Sequence, residues 1–443
     1  MRAIIPDLPP DARTDSMITS YREAVDYLYQ NLPMFQRVGA AALKKDLTNT
    51  IALCEALANP QKRFQSIHIA GTNGKGSTAH MIAAVLQSAG YSTGLYTSPH
   101  LKSFTERIRV NGKEMEEDAV TAFVNRTQPL IEKVKPSFFE ITVAMAFEYF
   151  ASKEVDVAVV EVGLGGRLDS TNIIRPVLSL ITNIGMDHKE LLGDTLEKIA
   201  YEKAGIIKDG VPVVISERQR EVEHIFRDEA ADHNAPLVFA DNELTIRKRE
   251  GKIDVVWGNR VLLKDVEPGL KGHYQDQNIC GAMMALFKLR ECGYIISDDA
   301  IRRGIRDVTT LTGLKGRWQQ LRERPLVICD TAHNVEGLSR VAAQIREQHY
   351  DTLHIVFGMT KEKDPNALLA LLPVDARYYF CQAAIPRALD AAVLGECARA
   401  RELDFVVIEN VGRAVETAMQ AAGANDMVFI GGSTFVVAEV EGI

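Results

Sequence analysis

Three glycines and a lysine lie close together directly after a short apolar segment, residues 66–70. The run consists of Gly71, Thr72, Asn73, Gly74, Lys75, Gly76 and Ser77, and an apolar helical repeat follows it. A strand, a glycine-rich turn and a helix in this order can cradle a phosphate, because backbone N–H groups and the helix N-terminus then face the anion. Lys75 can reach the outer phosphates, and the Ser77 hydroxyl can lie near a metal ion. The alternative is an ordinary tight turn, which needs neither three glycines nor a lysine.

Polar side chains also follow other predicted strands. Glu161 comes after the buried run 155–160, His188 after the strand at 177–184, and Ser98 after a further candidate strand. In an open parallel sheet, ligands bind beyond the carboxyl ends of the strands, and a carboxylate facing a phosphate loop suits nucleotide-bound magnesium. The alternatives are a salt bridge for Glu161 and a loop position without ligand for His188, because imidazole is not a typical magnesium ligand.

Lys203 lies on the apolar side of a predicted helix that Thr195 can cap. Four residues recur at positions i, i+3, i+4 and i+7 and so share one face: Leu196, Ile199, Ala200 and Lys203. An inward lysine must find a partner or lose its charge. One alternative is that Lys203 forms an ion pair with a buried carboxylate. The other is that it is a functional group at the site, either as an amine or as a carbamate, since a neutral amine reacts with carbon dioxide. Periodicity does not decide between these two.

The second half of the chain carries its own polar turns. Arg317 follows Gly316, while Asp330 and His333 follow a predicted strand at 325–329. An arginine can neutralise phosphate charge, and Asp330 can accept hydrogen bonds from ribose hydroxyls. Each of these residues, taken singly, is more often structural.

These groups must be positioned by alternating strands and helices. Strands and helices alternate through residues 66–215, which predicts a mostly parallel sheet with helices on both faces. Residues 236–266 change to short alternating strands, a predicted small β insertion, and 309–316 are rich in turn residues and form the predicted linker. We therefore predict two α/β domains, residues 1–307 and a smaller domain at 308–443.

Composition and charge narrow the class of protein. The 443 residues suffice for two or three domains, and 46% hydrophobic with 25% charged residues is typical of a globular chain. The net charge of −8 argues against a general nucleic-acid surface. Six scattered cysteines without a CxxC pair indicate reduced thiols. Residues 1–16 have no apolar core, and no run approaches the roughly 18 apolar residues of a spanning helix, so we expect a cytoplasmic protein.

Taken together, the motifs resemble the folylpolyglutamate synthase and dihydrofolate synthase family, the folate branch of the Mur-type amide ligases. The matching segments are 71–77, 97–101, 106–108, 161–172, 187–188, 192–195, 202–206, 316–317, 330–334 and 431–433. They span nearly the whole chain, and the spacing of the glycine-rich turn is the family's own. The resemblance implies a P-loop-type, mostly parallel N-terminal domain and a smaller Rossmann-like C-terminal α/β domain.

The resemblance also implies roles for individual residues. ATP would be bound by the 71–77 turn with Asn278, Arg317 and Asp330. Magnesium, as two ions, would be held at Ser98, Glu161, His188 and Lys203. Lys203 matches a carbamylated lysine, and the implied catalytic residues are Lys75, Lys203 and His333. Folate would contact Ser137, Phe138 and Asp169, and residues 34–39 align loosely with a folate-contacting loop.

The implied reaction transfers the γ-phosphoryl group of ATP to a substrate carboxylate, and the amine of L-glutamate then attacks the acyl phosphate. The implied substrates are ATP, L-glutamate and dihydropteroate or folates, for a monomer without nucleic-acid or membrane partners. Two alternatives are another Mur-type amino-acid ligase and a nucleotide-dependent switch without ligase activity. The 161–172 run favours the folate branch, and polar strand ends in both domains argue against a switch.

Overall fold

The computed structural model describes residues 17–34 and 46–443. Its larger sheet has eight strands: β1 (Gln65–Ala70), β2 (Thr93–Tyr96), β3 (Ile108–Val110), β4 (Lys113–Glu114), β5 (Val157–Glu161), β6 (Leu178–Ile181), β7 (Val213–Ile215) and β8 (Leu237–Phe239). Their order is β4–β3–β2–β5–β1–β6–β7–β8, and only β3 and β4, at one edge, pair antiparallel. The carboxyl ends of β5, β1 and β6 therefore lie side by side, as the predicted parallel sheet requires.

Helices cover both faces of this sheet. They are α1 (Tyr21–Asn31), α2 (Thr48–Ala56), α3 (Lys75–Ser88), α4 (Glu117–Val134), α5 (Phe138–Ser152), α6 (Lys189–Leu192), α7 (Leu196–Ala204), α8 (Glu223–Asp232), α9 (Ala240–Glu243), α10 (Gln275–Glu291), α11 (Asp298–Arg306) and α12 (Val308–Thr312). Along β5, Val157 and Val159 pack into one apolar core with α3 and α10, and Ala158 and Val160 pack into another with α4 and α5. A strand buried on both faces has no polar alternation, which is why it reads as a continuous apolar run.

The predicted β insertion begins later than its sequence pattern indicates. The separate three-stranded antiparallel sheet consists of β9 (Leu244–Arg249), β10 (Lys252–Trp257) and β11 (Arg260–Val266). Residues 237–239 instead pair in parallel with β7 as the last strand of the larger sheet. The start at residue 236 is thus corrected to Leu244, because a short strand carries no sign of the sheet that it joins.

A second sheet of six strands forms the C-terminal part of the chain. Its strands are β12 (Gln319–Arg322), β13 (Leu326–Cys329), β14 (Leu353–Phe357), β15 (Arg377–Gln382), β16 (Asp404–Asn410) and β17 (Met427–Gly431), in the order β12–β13–β17–β14–β15–β16. Its helices are α13 (Val335–Arg346), α14 (Pro365–Leu369), α15 (Ala391–Arg399), α16 (Val411–Ala421) and α17 (Thr434–Ala438). All strands except the edge strand β12 run parallel.

The predicted linker is partly helical, because α12 occupies residues 308–312 and packs on α3. Thr312 Oγ1 donates to the Val308 carbonyl at 2.6 Å, so it accepts from Nδ1 of the buried His80 at 2.8 Å. We therefore propose that the domain boundary falls at Gly313 rather than before residue 308. Residues 17–34 and 46–312 are called the N-terminal lobe below, and residues 313–443 the C-terminal lobe.

The buried His80 gives a stability prediction. Burial lowers the pKa of His80 to about 3, whereas an unfolded histidine titrates near 6.5. Between these values the unfolded chain binds a proton that the folded chain does not, so stability falls as the pH drops below about 6.5. Between pH 6.5 and 5 we expect the wild type to lose about 1.5 kcal/mol more unfolding free energy than His80→Asn. Urea unfolding at the two pH values measures this difference.

The control for this prediction is the exposed His224. His224→Asn removes an imidazole from the surface and leaves His80 in place, so it tests whether loss of a histidine as such changes the result. Equal acid destabilisation in the wild type and in His80→Asn would contradict the assignment of a buried neutral imidazole.

The cysteines and helices agree with the composition. All six cysteines are free: Cys54, Cys280, Cys329 and Cys381 are buried, Cys397 is half-buried and Cys292 is exposed. Across residues 17–34 and 46–443, no helix has the length and apolar character needed to span a lipid bilayer.

Candidate active site

The glycine-rich turn between β1 and α3 lies at the carboxyl edge of the larger sheet. Gly71 and Gly74 have φ values of +143° and +85°, which side chains rarely allow. A Cβ atom on Gly71 would lie 1.8 Å from Thr182 Oγ1, and one on Gly74 would lie 2.0 Å from Asn278 Oδ1. The turn is therefore fixed between the end of β6 and α10. It delivers the free N–H groups of the first turn of α3 to one spot, an arrangement that suits an anion.

Two lysine ammonium groups converge on one carbonyl oxygen of this turn. Lys75 Nζ donates to the Gly71 and Thr72 carbonyls, both at 3.2 Å, and Lys203 Nζ donates to the Gly71 carbonyl at 2.8 Å. Thr195 caps α7, and Lys203 is buried as its periodicity predicts. Among the described residues no carboxylate lies within ion-pair distance of Lys203. Burial, aided by the charge of Lys75, lowers the pKa of Lys203 to about 7, so much of it is a neutral amine near that pH.

Glu161 and Ser98 lie together near Lys75. The Ser98 N–H donates to Glu161 Oε2 at 3.2 Å. Burial raises the pKa of Glu161, while Lys75 and Arg317 favour its ionised form. His188 directly precedes α6, and burial lowers its pKa to about 4, so its imidazole is neutral.

These groups fit a hard cation in part. Carboxylate and hydroxyl oxygens are ligands that magnesium prefers. Within residues 17–34 and 46–443 no three His, Cys, Asp or Glu side chains are grouped closely enough to hold a metal ion. A cation here would need oxygens from elsewhere, and the phosphates of a nucleotide on α3 are suited to supply them.

Arg317 of the C-terminal lobe lies near the glycine-rich turn and Glu161 of the N-terminal lobe. A Cβ atom on Gly76 would lie 3.7 Å from Arg317 Nη2 and also 3.7 Å from Glu161 Oε2. Arg317 is held by the Thr331 hydroxyl and the Gly316 carbonyl. An arginine of one lobe and a carboxylate of the other therefore flank the N-terminus of α3.

Asp330 and Asn278 are tied into the protein around this point. Asp330 Oδ2 accepts from Trp318 N at 2.7 Å and from the Tyr274 hydroxyl at 2.6 Å, and burial raises the pKa of Asp330. Asn278 Nδ2 donates to Gln275 Oε1 at 2.8 Å. The Asp330 carboxyl thus already fixes the backbone directly after Arg317, in addition to its predicted role toward ribose.

Sequence reasoning missed a polar network that joins the two lobes. Glu336, in the first turn of α13, accepts from Asn73 Nδ2 at 3.1 Å and from Asn183 Nδ2 at 2.7 Å. Asn334 Nδ2 donates to Asn73 Oδ1 at 3.0 Å. An asparagine within the glycine-rich turn was the available signal, because such a side chain needs partners for both its donor and its acceptor.

Asp187 is a second part of this network. It forms an ion pair with Lys363 of the C-terminal lobe, and its Oδ2 lies 3.6 Å from His333 Nε2. Although burial opposes it, the neighbouring His333, His188 and Lys363 hold the pKa of Asp187 well below its usual range. Asp187 is therefore an anion that connects His188 with His333, two residues that the sequence singled out separately.

The predicted folate-side residues each have partners of their own within the N-terminal lobe. The Ser137 hydroxyl caps α5 by accepting from Glu140 N, and the Phe138 ring contacts Phe104 edge to face at 5.9 Å. Asp169 accepts from Leu164 N at 2.9 Å and from the Thr171 hydroxyl. Ser137 thus serves the helix, whereas Phe138 and Asp169 lie near the Ser98 turn and the Glu161 segment. Of the predicted loop 34–39, residues 35–39 lie outside the described residues.

Comparisons with known proteins agree with this geometry. The Mur ligase middle domain family matches residues 69–286, and the Mur ligase glutamate ligase domain family matches residues 316–434. A dihydrofolate synthase/folylpolyglutamate synthase of Bacillus subtilis is 33% identical over 438 residues, covering 96% of this chain and 99% of the relative.

Two solved structures show the same architecture over nearly the whole chain. A Mycobacterium tuberculosis folylpolyglutamate synthase complexed with ADP has a TM-score of 0.85 at 31% identity, covering 96% of this chain and 98% of that one. A bifunctional folylpolyglutamate synthase/dihydrofolate synthase of Yersinia pestis, complexed with AMPPNP and a manganese ion, has a TM-score of 0.82 at 30% identity and the same coverage.

The two lobes and the turn between them define an ATP-dependent amide ligase of the Mur type. Within that class, the chain belongs to the folylpolyglutamate synthase/dihydrofolate synthase family.

Proposed function

We propose that this enzyme, acting as a monomer, ligates L-glutamate to the carboxylate of a pterin acid, either dihydropteroate or a folate, through an acyl phosphate. The main supporting observation is that Arg317 of one lobe and Glu161 of the other meet at Gly76, where α3 begins. A nucleotide phosphate bound there is enclosed by both lobes, which excludes water from an intermediate that water would hydrolyse.

Charge neutralisation is the main task of the phosphate-side residues. A carboxylate is a poor acylating agent until its oxygen is phosphorylated. Lys75 and Arg317 place positive charge around the phosphoryl group as it moves from ATP to that oxygen, and fixed charges of this kind are the largest contribution in such reactions. Two magnesium ions, with Ser98, Glu161 and His188 as candidate ligands, would add positive charge at the same place. The manganese ion and AMPPNP of the Yersinia pestis relative support a divalent metal together with the nucleotide.

Lys203 completes the charge balance as a carbamate in this proposal. The ammonium first loses one proton, and the neutral amine then adds to carbon dioxide and releases a second proton, which leaves an anion that would suit a second metal ion. The lowered pKa of about 7 and the missing carboxylate partner among the described residues support this step.

We expect enzyme equilibrated with ¹³C-labelled bicarbonate to show one carbamate resonance in its carbon NMR spectrum. The resonance should be absent from Lys203→Ala. It should persist in Lys208→Ala, which removes a partly buried lysine that also donates to a carbonyl in the same lobe. A wild-type spectrum without the resonance would reject carbamylation.

The substrate itself is tested by release of ADP. Wild-type enzyme is given ATP, magnesium and L-glutamate, and its ADP release with dihydropteroate as the acid is compared with its ADP release with tetrahydrofolate. Glutamate-dependent ADP release with either acid supports the proposal and shows which acids are used. ADP release that does not depend on acid or glutamate would reject the proposal in favour of a nucleotide-dependent switch. If neither acid produces ADP release, the enzyme uses another Mur-type substrate.

A further inference from the structure

Arg107 is a buried cation without a carboxylate partner. It ends the short 3₁₀ helix Phe104–Arg107 and is 3% exposed. Among the described residues no carboxylate lies within ion-pair distance of its guanidinium, whereas the nearby buried Arg109 pairs with Glu114 at 3.1 Å. Buried charges are normally paired, because leaving water costs them several kcal/mol.

The groups in contact with Arg107 are uncharged, and the carboxylate of Glu161 acts on its charge only from beyond ion-pair distance. Its Nε donates to His100 Nδ1 at 2.7 Å, so His100 must be unprotonated at that atom. Its guanidinium carbon lies 5.3 Å from the centre of the Phe138 ring. The guanidinium also faces the Tyr96 hydroxyl, but among the described residues no carboxylate takes up the two parallel donors with which an arginine binds such a group.

Tyr96 supplies a second polar group at the same place. Its side chain is fully buried, and its hydroxyl faces the Arg107 guanidinium without a well-aligned hydrogen bond to any described residue. Burial raises the pKa of Tyr96, and the charges of Arg107, Asp169 and Glu161 all act on this hydroxyl. Buried hydroxyls are rarely left without a well-aligned hydrogen bond, so this oxygen can still bind a polar group placed beside the guanidinium.

The two groups lie between the phosphate side and the folate side of the site. The Thr97 N–H donates to the Arg107 carbonyl at 3.0 Å, which puts Arg107 beside the Ser98 turn and hence near Glu161. Phe138, on the opposite side, lies under the guanidinium. If the ring system of an aromatic acid lies toward Phe138, the carboxylate that is to be phosphorylated lies between Phe138 and Glu161, next to Arg107 and Tyr96.

We propose that the Arg107 guanidinium and the Tyr96 hydroxyl bind the carboxylate of the acid substrate, the group that becomes the acyl phosphate. This inference rests on the proposed function, because it requires an acid substrate. It adds a residue that selects an acid over an uncharged analogue and that aligns the acceptor oxygen with the phosphate on α3.

The test measures the preference for a charged carboxylate without turnover. Binding of the pterin acid that the wild type ligates is compared with binding of its carboxamide analogue, by calorimetry in the absence of ATP. A hydrogen bond to a charged group is worth about 1.5–3 kcal/mol, so the wild type should prefer the acid by about 10- to 100-fold. Arg107→Met should bind the two ligands almost equally, and Arg107→Lys should retain part of the preference.

Arg109→Met is the control matched for burial. It removes an arginine of similar burial that already has its carboxylate, so it should alter stability and leave the preference unchanged. A wild-type preference in folded Arg107→Met would overturn the proposal. If that variant does not fold, Tyr96→Phe decides, since an unchanged preference there also overturns it. A wild type that ligates neither pterin acid would instead reject the proposed function.

Discussion

Lys75→Ala is expected to lower glutamate-dependent ADP formation by about 100- to 1,000-fold, the usual loss when one preorganised charge donor is removed. Lys75 Nζ is held by two carbonyls of the turn at the N-terminus of α3, where a γ-phosphoryl group would lie. The charge that it stabilises develops during transfer, so the loss should fall mainly on kcat. Steady-state ADP release at saturating ATP measures it.

Lys208→Ala is the matched control for Lys75→Ala. Lys208 also donates to a backbone carbonyl of the N-terminal lobe, that of Gly205 at 3.4 Å, and it is partly buried. Its removal should leave kcat within a factor of two or so, since the lysine lies outside the site. Near wild-type turnover by a folded Lys75→Ala enzyme would contradict the role assigned to the phosphate turn.

Gly71→Ala should cause a loss of activity of the same order. The new Cβ would lie 1.8 Å from Thr182 Oγ1, and φ is +143°, so the backbone must change. The carbonyl of this residue holds both Lys75 and Lys203, and any rotation of its peptide displaces two functional groups at once. Misplacement of reacting groups by about 1 Å can cost 100-fold in rate. ADP release and thermal melting are measured together.

Gly90→Ala separates backbone strain from the geometry of the site. Gly90 lies at the other end of α3 with φ of +94°, and a Cβ there meets nothing within 4 Å. The substitution should cost about 1–2 kcal/mol of stability with kcat unchanged. Equal losses of kcat in both variants would show that activity follows the stability of α3 rather than the position of the Gly71 carbonyl.

The site was predictable where its signals are local. The glycine-rich turn, the strand-end Glu161 and the inward Lys203 each follow from short-range patterns, because strand ends and helix faces are set by periods of two and 3.6 residues. The edge of the larger sheet at which the site lies was also predictable, since the carboxyl ends of parallel strands lie at the same edge.

The parts that were missed depend on distant pairs. Glu336 accepts a hydrogen bond from Asn73, 263 positions away in the sequence, and the local sequence around either residue does not indicate the other as its partner. The edge strand β12 and the strand β8 are too short to show which sheet they join. Arg107 stands in a motif of the family, but only its burial without an ion pair made it informative.

The distribution of thiols has a practical consequence for measuring motion. Cys292 ends a helix of the N-terminal lobe and is exposed, while Cys397 in the C-terminal lobe is the only other cysteine that is not fully covered. Maleimide dyes should therefore attach once to each lobe of the natural protein. A donor and acceptor pair placed in this way would report the distance between the lobes by energy transfer during a single turnover, with no engineered residue.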